Sequence, residues 1–197
     1  SYKGNFEIQE ELNGLKFNRS PKSFFQTNPI QAEKLYQVAL GFAEITENDV
    51  VYDLYCGTGT ITCLAAAKAK KAIGVEIIDE AIKAAKVNAA INNINNVEFL
   101  VGDMKDVFNP EFYAKHGSPD IIITDPPRSG MHPKVVEYLS EIKSPKLVYV
   151  SCNPATQARD LAILDSTYQV VKSQAVDMFP QTHHVENVVL LELRSTT

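Results

Sequence analysis

The stretch VVYDLYCGTGT, residues 50–60, decides the fold. Val50–Tyr55 is rich in β-branched and aromatic residues and reads as a buried strand. It ends on acidic and aromatic side chains and runs into a loop carrying Gly57 and Gly59. Glycine accepts backbone angles that other residues avoid, so this loop can turn tightly and approach a ligand closely. Thr60 then opens an alanine-rich segment that reads as a helix to Ala69. Strand, glycine loop and helix in succession is the opening unit of a parallel sheet whose ligands bind beyond the carboxyl ends of its strands.

The same alternation continues downstream. Strands are expected at Lys71–Glu76, Val97–Val101, Asp120–Thr124 and Lys146–Ser151. Helices are expected from a cap at Asp79 to about Asn92, over Pro133–Ile142 and over Ala155–Leu164. Upstream, Asn28 and Pro29 form a cap and a first helical turn, followed by helical spacing through Ala32, Leu35, Tyr36, Ala39 and Leu40. Tyr168–Val176 and Val185–Leu193 close the chain as strands with no helix between them. A parallel neighbour needs a long crossover, so this last pair is antiparallel. The expected fold is α/β: a doubly wound, mostly parallel seven-stranded sheet ending in an antiparallel pair, the architecture of S-adenosylmethionine-dependent methyltransferases. Residues 1–22 read as the stub of a preceding region, with a β-hairpin turning at Asn13-Gly14. Residues 23–197 read as one catalytic domain.

The chain has 197 residues, 45% of them hydrophobic and 22% charged, enough for a domain with a full core. Its formal net charge of −5 argues against a general nucleic-acid-binding surface. The three cysteines, Cys56, Cys63 and Cys152, are odd in number and not in CxxC spacing, which excludes a disulfide framework and a structural zinc site. No signal peptide or membrane-length apolar run is present, so a cytoplasmic protein without membrane association is expected. No metal site is expected.

The acidic strand ends choose the cofactor. Asp53 precedes the glycine loop, Glu76 ends the second strand of the unit, and Gly102-Asp103 follows the third. A dinucleotide fingerprint requires a third glycine where this chain has Thr62. S-adenosylmethionine is therefore favoured over NAD. Asp53 is placed near the methionyl ammonium, Glu76 on the ribose hydroxyls, Asp103 on the adenine amine, and Tyr55 beside the cofactor.

Two further loops lie on the same rim. In TDPPRSG (124–130) the prolines stiffen the strand exit and project the Asp125 carboxylate over the sheet edge. In VSCNP (150–154) Cys152 follows a strand, with Asn153 and Pro154 starting a helix. The partial positive charge of a helix N-terminus favours thiolate, so Cys152 reads as a nucleophile. Cys56 and Cys63 read as core residues. Glu186 by itself reads as a solvated strand end. His183 and His184 with Glu186 make a poor metal cluster, because adjacent residues of an extended segment face opposite ways.

Taken together, SFFQTNP (23–29), DLYCGTGT (53–60), GVE (74–76), GD (102–103), DPPRSG (125–130), VSCNPATQARDL (150–161) and HHVENVVLLEL (183–193) resemble the RNA uracil-C5 methyltransferases, which form 5-methyluridine in ribosomal or transfer RNA. The resemblance runs from about Leu12 to the end. It implies that Cys152 adds to C6 of a uracil, that C5 then takes the methyl group, and that Glu186 removes the C5 proton. It also implies that Gln26, Tyr55, Thr60, Glu76, Asp103 and Asp125 line the cofactor pocket or its border with the base. Ribosomal RNA is placed ahead of transfer RNA as substrate, with a flipped or single-stranded uridine as the target. Members often carry N-terminal RNA-binding regions and, in some, an iron–sulfur cluster; this chain contains neither, and such regions are expected in the same protein. The rivals are an RNA cytosine-C5 methyltransferase, which usually has a cysteine where Arg128 stands, an amine methyltransferase with an aromatic at that position, and a non-catalytic cofactor- or RNA-binding module.

Overall fold

The computed structural model describes residues 8–19, 28–180, 182 and 184–195. Its main sheet has seven strands in the order β5-β4-β3-β6-β7-β9-β8. These are β3 (Val50–Leu54), β4 (Lys71–Glu76), β5 (Val97–Val101), β6 (Ile121–Thr124), β7 (Lys146–Ser151), β8 (Tyr168–Val176) and β9 (Glu186–Leu193). β3 to β7 are parallel to one another, while β9 is antiparallel to both β7 and β8. This is the fold class expected from the sequence. Because β9 runs backwards, its first residue lies at the edge where the parallel strands end. The chain starts in the middle, winds outward through β4 and β5, then returns to β6, so β3 and β6 flank the switch point where such sheets bind ligands.

Side chains alternate across the sheet, and the core divides accordingly. Val51, Ile121, Ile123, Val148, Val150, Val188 and Leu190 face one layer. That layer holds α1 (Pro29–Ala43), α2 (Thr60–Ala66) and α3 (Asp79–Ile91). Tyr52, Leu54, Ile122, Leu147, Tyr149, Val189 and Leu191 face the other. There the cover comes from α4 (Met104–Val107), α5 (Pro110–His116), α6 (Pro133–Ile142) and α7 (Pro154–Leu164). Helix α2 is buried along its whole length, which explains its alanine-rich, all-round apolar text.

A separate hairpin of β1 (Ile8–Leu12) and β2 (Leu15–Arg19) turns at Asn13 and Gly14, both at positive φ. Leu12 and Phe17 belong to the same buried cluster as α1 and α3. The hairpin is bound to α3 by Asn88 Oδ1, which accepts from Asn18 N–H at 2.8 Å, and Asn92 Oδ1, which accepts from Lys16 N–H at 2.8 Å.

Several boundaries differ from the sequence expectation: β3 ends at Leu54, β6 starts at Ile121, β9 at Glu186 and α7 at Pro154, each one residue from the expected bound. The N-cap of α3 is Ile78, not Asp79: its carbonyl accepts the first helical N–H groups, from Ala81 at 3.0 Å and Ile82 at 3.2 Å, while Glu76 Oε1 accepts the Ile78 N–H at 3.0 Å. Asp79 and Glu80 instead place negative charge in the first turn, where the helix dipole favours it. Helix α2 ends at Ala66 because Asn96 Nδ2 donates to the carbonyls of Ala66 and Ala69, both at 2.9 Å. Helices α4 and α5 were not expected. Yet Asn109-Pro110 starts α5 with the same Asn-Pro device that starts α1 and α7, the side chain accepting from Phe112 N–H at 3.0 Å.

The two loop glycines do different work. Gly59 lies at φ 78°, and a Cβ there would sit 2.8 Å from Ala85 Cβ and 2.9 Å from the Phe99 ring. Gly57 lies at φ 53° with nothing within 4 Å of its would-be Cβ. Replacing Gly59 by Ala adds overpacking to left-handed strain and is expected to cost about 2–4 kcal/mol of folding stability in urea titrations. Gly57→Ala carries the backbone strain alone, about 1–2 kcal/mol.

Candidate active site

Period-two alternation and sheet register place four chemically active residues in one ascending row. Asp53 lies two positions beyond Val51, Asp125 two beyond Ile123 and Cys152 two beyond Val150, while Glu186 comes two before Val188. All four therefore share the face covered by α1. The pairings Asp53↔Ile123, Thr124↔Tyr149 and Ser151↔Asn187 make each step climb outward across β3, β6 and β7. Continuing the last pairing by one residue sets Cys152 opposite Glu186. Side chains directly opposite on antiparallel strands have Cβ atoms about 4.5–5.5 Å apart. Asp53 is the deepest of the four, at 1% exposure, and Cys152 stands at the mouth.

These residues line a cavity of about 920 Å³. It also takes in Tyr55, Gly57, Thr60, Glu76 and Asp103, so the structure brings most of the sequence-predicted site together. Gly59 is the exception, packed away from the cavity against α3 and β5. Gln26 and His183 lie outside the described residues. Tyr55 adopts φ 66°, a left-handed conformation unusual for a residue with a side chain, at the turn where β3 enters the glycine loop.

The deep end of the cavity is acidic and partly unsatisfied. Asp53 Oδ2 accepts from Thr62 Oγ1 at 2.6 Å, whereas its Oδ1 is buried with no hydrogen-bond partner among the described residues. Burial pushes the Asp53 carboxyl up to about 7 and Asp125 up to about 8, the latter helped by the charges of Glu186 and Asp53. Glu76 is held rigid by two backbone donors, Gly57 N–H at 3.1 Å and Ile78 N–H at 3.0 Å. Ile77 and Ile78, exposed at 58% and 55%, offer an apolar wall beside it. Asp103 caps α4 and pairs with Lys105 Nζ at 2.7 Å, leaving lone pairs on both oxygens.

At the mouth, the expectation of a thiolate-favouring environment at Cys152 is reversed. Burial pushes its thiol up, and Glu186 and Asp125 push it further, with Arg128 opposing. The helix N-terminus behind it is already capped by Asn153 Oδ1, which accepts from Ala155 N–H at 3.2 Å. Burial also raises the Glu186 carboxyl to about 7, and its side chain is only 8% exposed, not the solvated strand end that the residue alone implied.

Helix α7 braces the mouth. Asp160, 1% exposed, accepts from Met131 N–H at 2.9 Å and from Tyr149 Oη at 2.7 Å through Oδ2. Its Oδ1 accepts from Arg159 Nε and Nη2 at 2.9 and 2.7 Å. Arg159 Nη2 also donates to the Ser129 carbonyl at 3.1 Å, and Asn153 Nδ2 to the Arg128 carbonyl at 3.1 Å. The Asp125 loop is thereby tied to the helix that follows Cys152. Gly130 is required there, since a Cβ would lie 2.6 Å from Arg159 Nη2.

Several cavity residues were not identified from the sequence. Tyr36 of α1 reaches the cavity at 8% exposure, near Asp125, Asp53 and Glu186, although its spacing reads as part of an ordinary apolar stripe. Cys56 is buried as expected but also touches the cavity, as do Met104, Phe179 and His184. No local signal distinguished them from core or loop.

Comparison with known proteins agrees with this architecture. The family described as tRNA (Uracil-5-)-methyltransferase matches residues 5–108 and 111–194. A Bacteroides thetaiotaomicron protein named an uncharacterized RNA methyltransferase is 56% identical over 98% of this chain and 42% of its own length. One from Porphyromonas gingivalis, of the same name, is 54% identical over 96% of this chain and 41% of its own. The chain thus spans about two fifths of the length of these curated relatives. Among solved structures, the Pyrococcus abyssi tRNA (uracil-54, C5)-methyltransferase in complex with S-adenosyl-L-homocysteine is 37% identical, with a TM-score of 0.82 over 95% of this chain and 45% of that one. A putative S-adenosylmethionine-dependent methyltransferase from Streptococcus mutans shares the fold at 15% identity and a TM-score of 0.73, over 97% of this chain and 56% of that one. With nearly the whole chain matched, the protein belongs to the tRNA (uracil-5-)-methyltransferase family, whose cofactor is S-adenosylmethionine.

Proposed function

We propose that this chain is the catalytic part of an enzyme that methylates C5 of a uridine in RNA through a covalent bond from Cys152 to C6. The single observation that carries the reading is the register of β7 and β9, which sets Cys152 opposite Glu186 at the mouth of the acidic cavity.

The cavity fits S-adenosylmethionine on the chain's own features. The unpartnered Asp53 Oδ1 is an acceptor without a donor, suited to an ammonium. Glu76 stands fixed at a strand end for ribose hydroxyls, Ile77 and Ile78 offer apolar contact for adenine, and Asp103 has lone pairs for the adenine amine. Tyr55, Thr60 and Gly57 complete the wall around them, and Gln26 is assigned to the border between cofactor and base. Bound there, the cofactor supplies an electrophilic methyl group and brings positive charge among the carboxylates.

The protein's own groups perform the remaining steps. The Cys152 sulfur adds to C6, and the C5=C6 electron pair becomes available at C5 for attack on the methyl group. Asp125, the next residue inward, holds the polar edge of the uracil. Glu186 then takes the proton from C5, the C5–H pair restores C5=C6, and the C6–S bond breaks to release Cys152 as thiolate. Glu186 must be ionised for its step, and burial sets that transition near neutral pH. RNA-binding surface is assigned to other parts of the protein, in keeping with the net charge of −5. The sequence places ribosomal RNA first, while the solved relative acts on tRNA, so both classes enter the test.

An RNA carrying 5-fluorouridine has no C5 proton to lose. Incubated with S-adenosylmethionine and the protein, it is expected to give a denaturation-resistant complex of mass protein plus RNA plus one methyl, linked at Cys152 and absent from Cys152→Ala. No complex under conditions where both ligands bind would overturn the uracil reading.

The carboxylate cluster also has a signature in stability. Between the ordinary carboxylate value of about 4 and the raised values of about 7 to 8, the folded protein holds protons that the unfolded chain has lost. Cofactor-free protein is therefore expected to lose stability as pH rises through this window. Asp53→Asn should flatten the decline in thermal melts recorded from pH 5 to 8.5.

A further inference from the structure

Behind the row of site residues, on the opposite face of the sheet, lies a second polar arrangement that the reaction does not touch. Gln157 of α7 is 1% exposed. Its Nε2 donates to the Tyr149 carbonyl of β7 at 2.9 Å and to the Asn187 carbonyl of β9 at 3.2 Å. Its Oε1 accepts from Asn187 Nδ2 at 2.7 Å. Asn187 Oδ1 in turn accepts from Ser173 Oγ of β8 at 3.1 Å. One amide side chain thus grips both strands just below the point where Cys152 and Glu186 leave the ladder.

The geometry has a specific consequence. Successive strand residues point to opposite faces, so Asn187 reaches toward α7 while Glu186 faces the cavity. Glu186 is the first residue of β9: it pairs with Val176 of β8 on one side but lies one residue beyond the last β7 pair on the other. The Ser151↔Asn187 pair is the last of the β7–β9 ladder. Terminal strand pairs open easily unless something outside the ladder holds them. Cys152 is held separately, by Ser151 Oγ, which accepts from Asn153 N–H at 3.1 Å, and by the Asn153 cap.

We propose that Gln157 and Asn187 are positioning residues for the base: their reciprocal amide pair fixes the backbone of Glu186 opposite Cys152, and the proton-abstraction step depends on it. The inference rests on the reading of Cys152 as nucleophile and Glu186 as base. In that step the C5 proton passes to the Glu186 carboxylate, the C5–H electron pair re-forms C5=C6, and the C6–S bond breaks. Addition of Cys152 and methyl transfer precede it and need no contribution from Glu186. A displaced base slows release alone, and a misplacement of about 1 Å costs on the order of 100-fold.

The test uses the full-length protein that carries this chain, with unmodified tRNA and rRNA transcripts, and compares Gln157→Met, Asn187→Ser, the double variant and Glu186→Gln. Single-turnover quench measures formation of the Cys152-linked complex, and a chase with ordinary uridine RNA measures its release. In both single variants, formation and S-adenosylmethionine affinity are expected within about threefold of the unsubstituted protein. Release should slow roughly 10- to 100-fold, so that methylated complex accumulates as in Glu186→Gln. Because the two residues act as a unit, the double variant should be no slower than the worse single. Should Gln157→Met fail to fold, Asn187→Ser breaks the same bond from the partly exposed partner and decides the matter. Formation and release falling together, release unchanged in the folded protein, or effects that multiply in the double variant would each overturn the proposal. If the unsubstituted protein forms no complex with 5-fluorouridine RNA, the proposed function itself fails. If it does and the variants release normally, only this inference falls.

Discussion

Asp160 is the buried carboxylate on which the site depends. Four donors converge on its two oxygens: Tyr149 of β7, the Met131 backbone behind the Asp125 loop, and two nitrogens of Arg159. Removing one partner from such a set leaves charge or donors unsatisfied in the interior, which is costly. Arg159 extends the network to the Ser129 carbonyl, so the strand leading to Cys152, the loop carrying Asp125 and helix α7 are tied together. On the proposed function the SCNPATQARDL segment is two things at once: the cysteine at its start belongs to the chemistry, and the helix after it belongs to the scaffold.

That scaffold works against a steep electrostatic gradient. Asp53, Asp125 and Glu186 line one cavity; burial raises all three carboxyls, and the charges of Glu186 and Asp53 raise the cost of ionising Asp125 further. Cys152 feels the same carboxylates, which offset the helix N-terminus behind it. Positive charge arriving in the cavity relieves the carboxylates, and relief of the carboxylates in turn favours the thiolate. On the proposed function, cofactor binding and ionisation of Cys152 are linked through one set of charges.

The sheet explains how so short a chain assembles this cavity. Asp53, Asp125, Cys152 and Glu186 are far apart in sequence, but each stands two residues from a buried apolar side chain on adjacent strands β3, β6, β7 and β9. Antiparallel β9 is essential, because only a reversed strand delivers its first residue to the rim where the parallel strands finish. Helix α1 roofs the row and contributes Tyr36 from above.

Much of this was legible in the sequence. Four strands, Lys71–Glu76, Val97–Val101, Lys146–Ser151 and Tyr168–Val176, and helix Pro133–Ile142 carried local signals strong enough to set both ends: apolar runs, a proline start and turn residues. The glycine loop, the acidic strand ends and the DPPR and SCNP loops announced a rim because each follows a strand. Tertiary structure decided the rest. Gly59 faces packing rather than the cavity because α3 and β5 close over it. Asp79 yields the cap position because the Ile78 carbonyl already takes the first helical N–H groups, and Glu76 fixes the Ile78 N–H. Cys152 has a raised thiol because it is partly buried and carboxylates face it across the sheet, and sequence spacing carries no information about either. Tyr36 and Gln157 read as ordinary helix residues until the layers pack. Local propensity specifies where strands and helices begin, but the field and contacts at a side chain are set by elements that meet only in the folded protein.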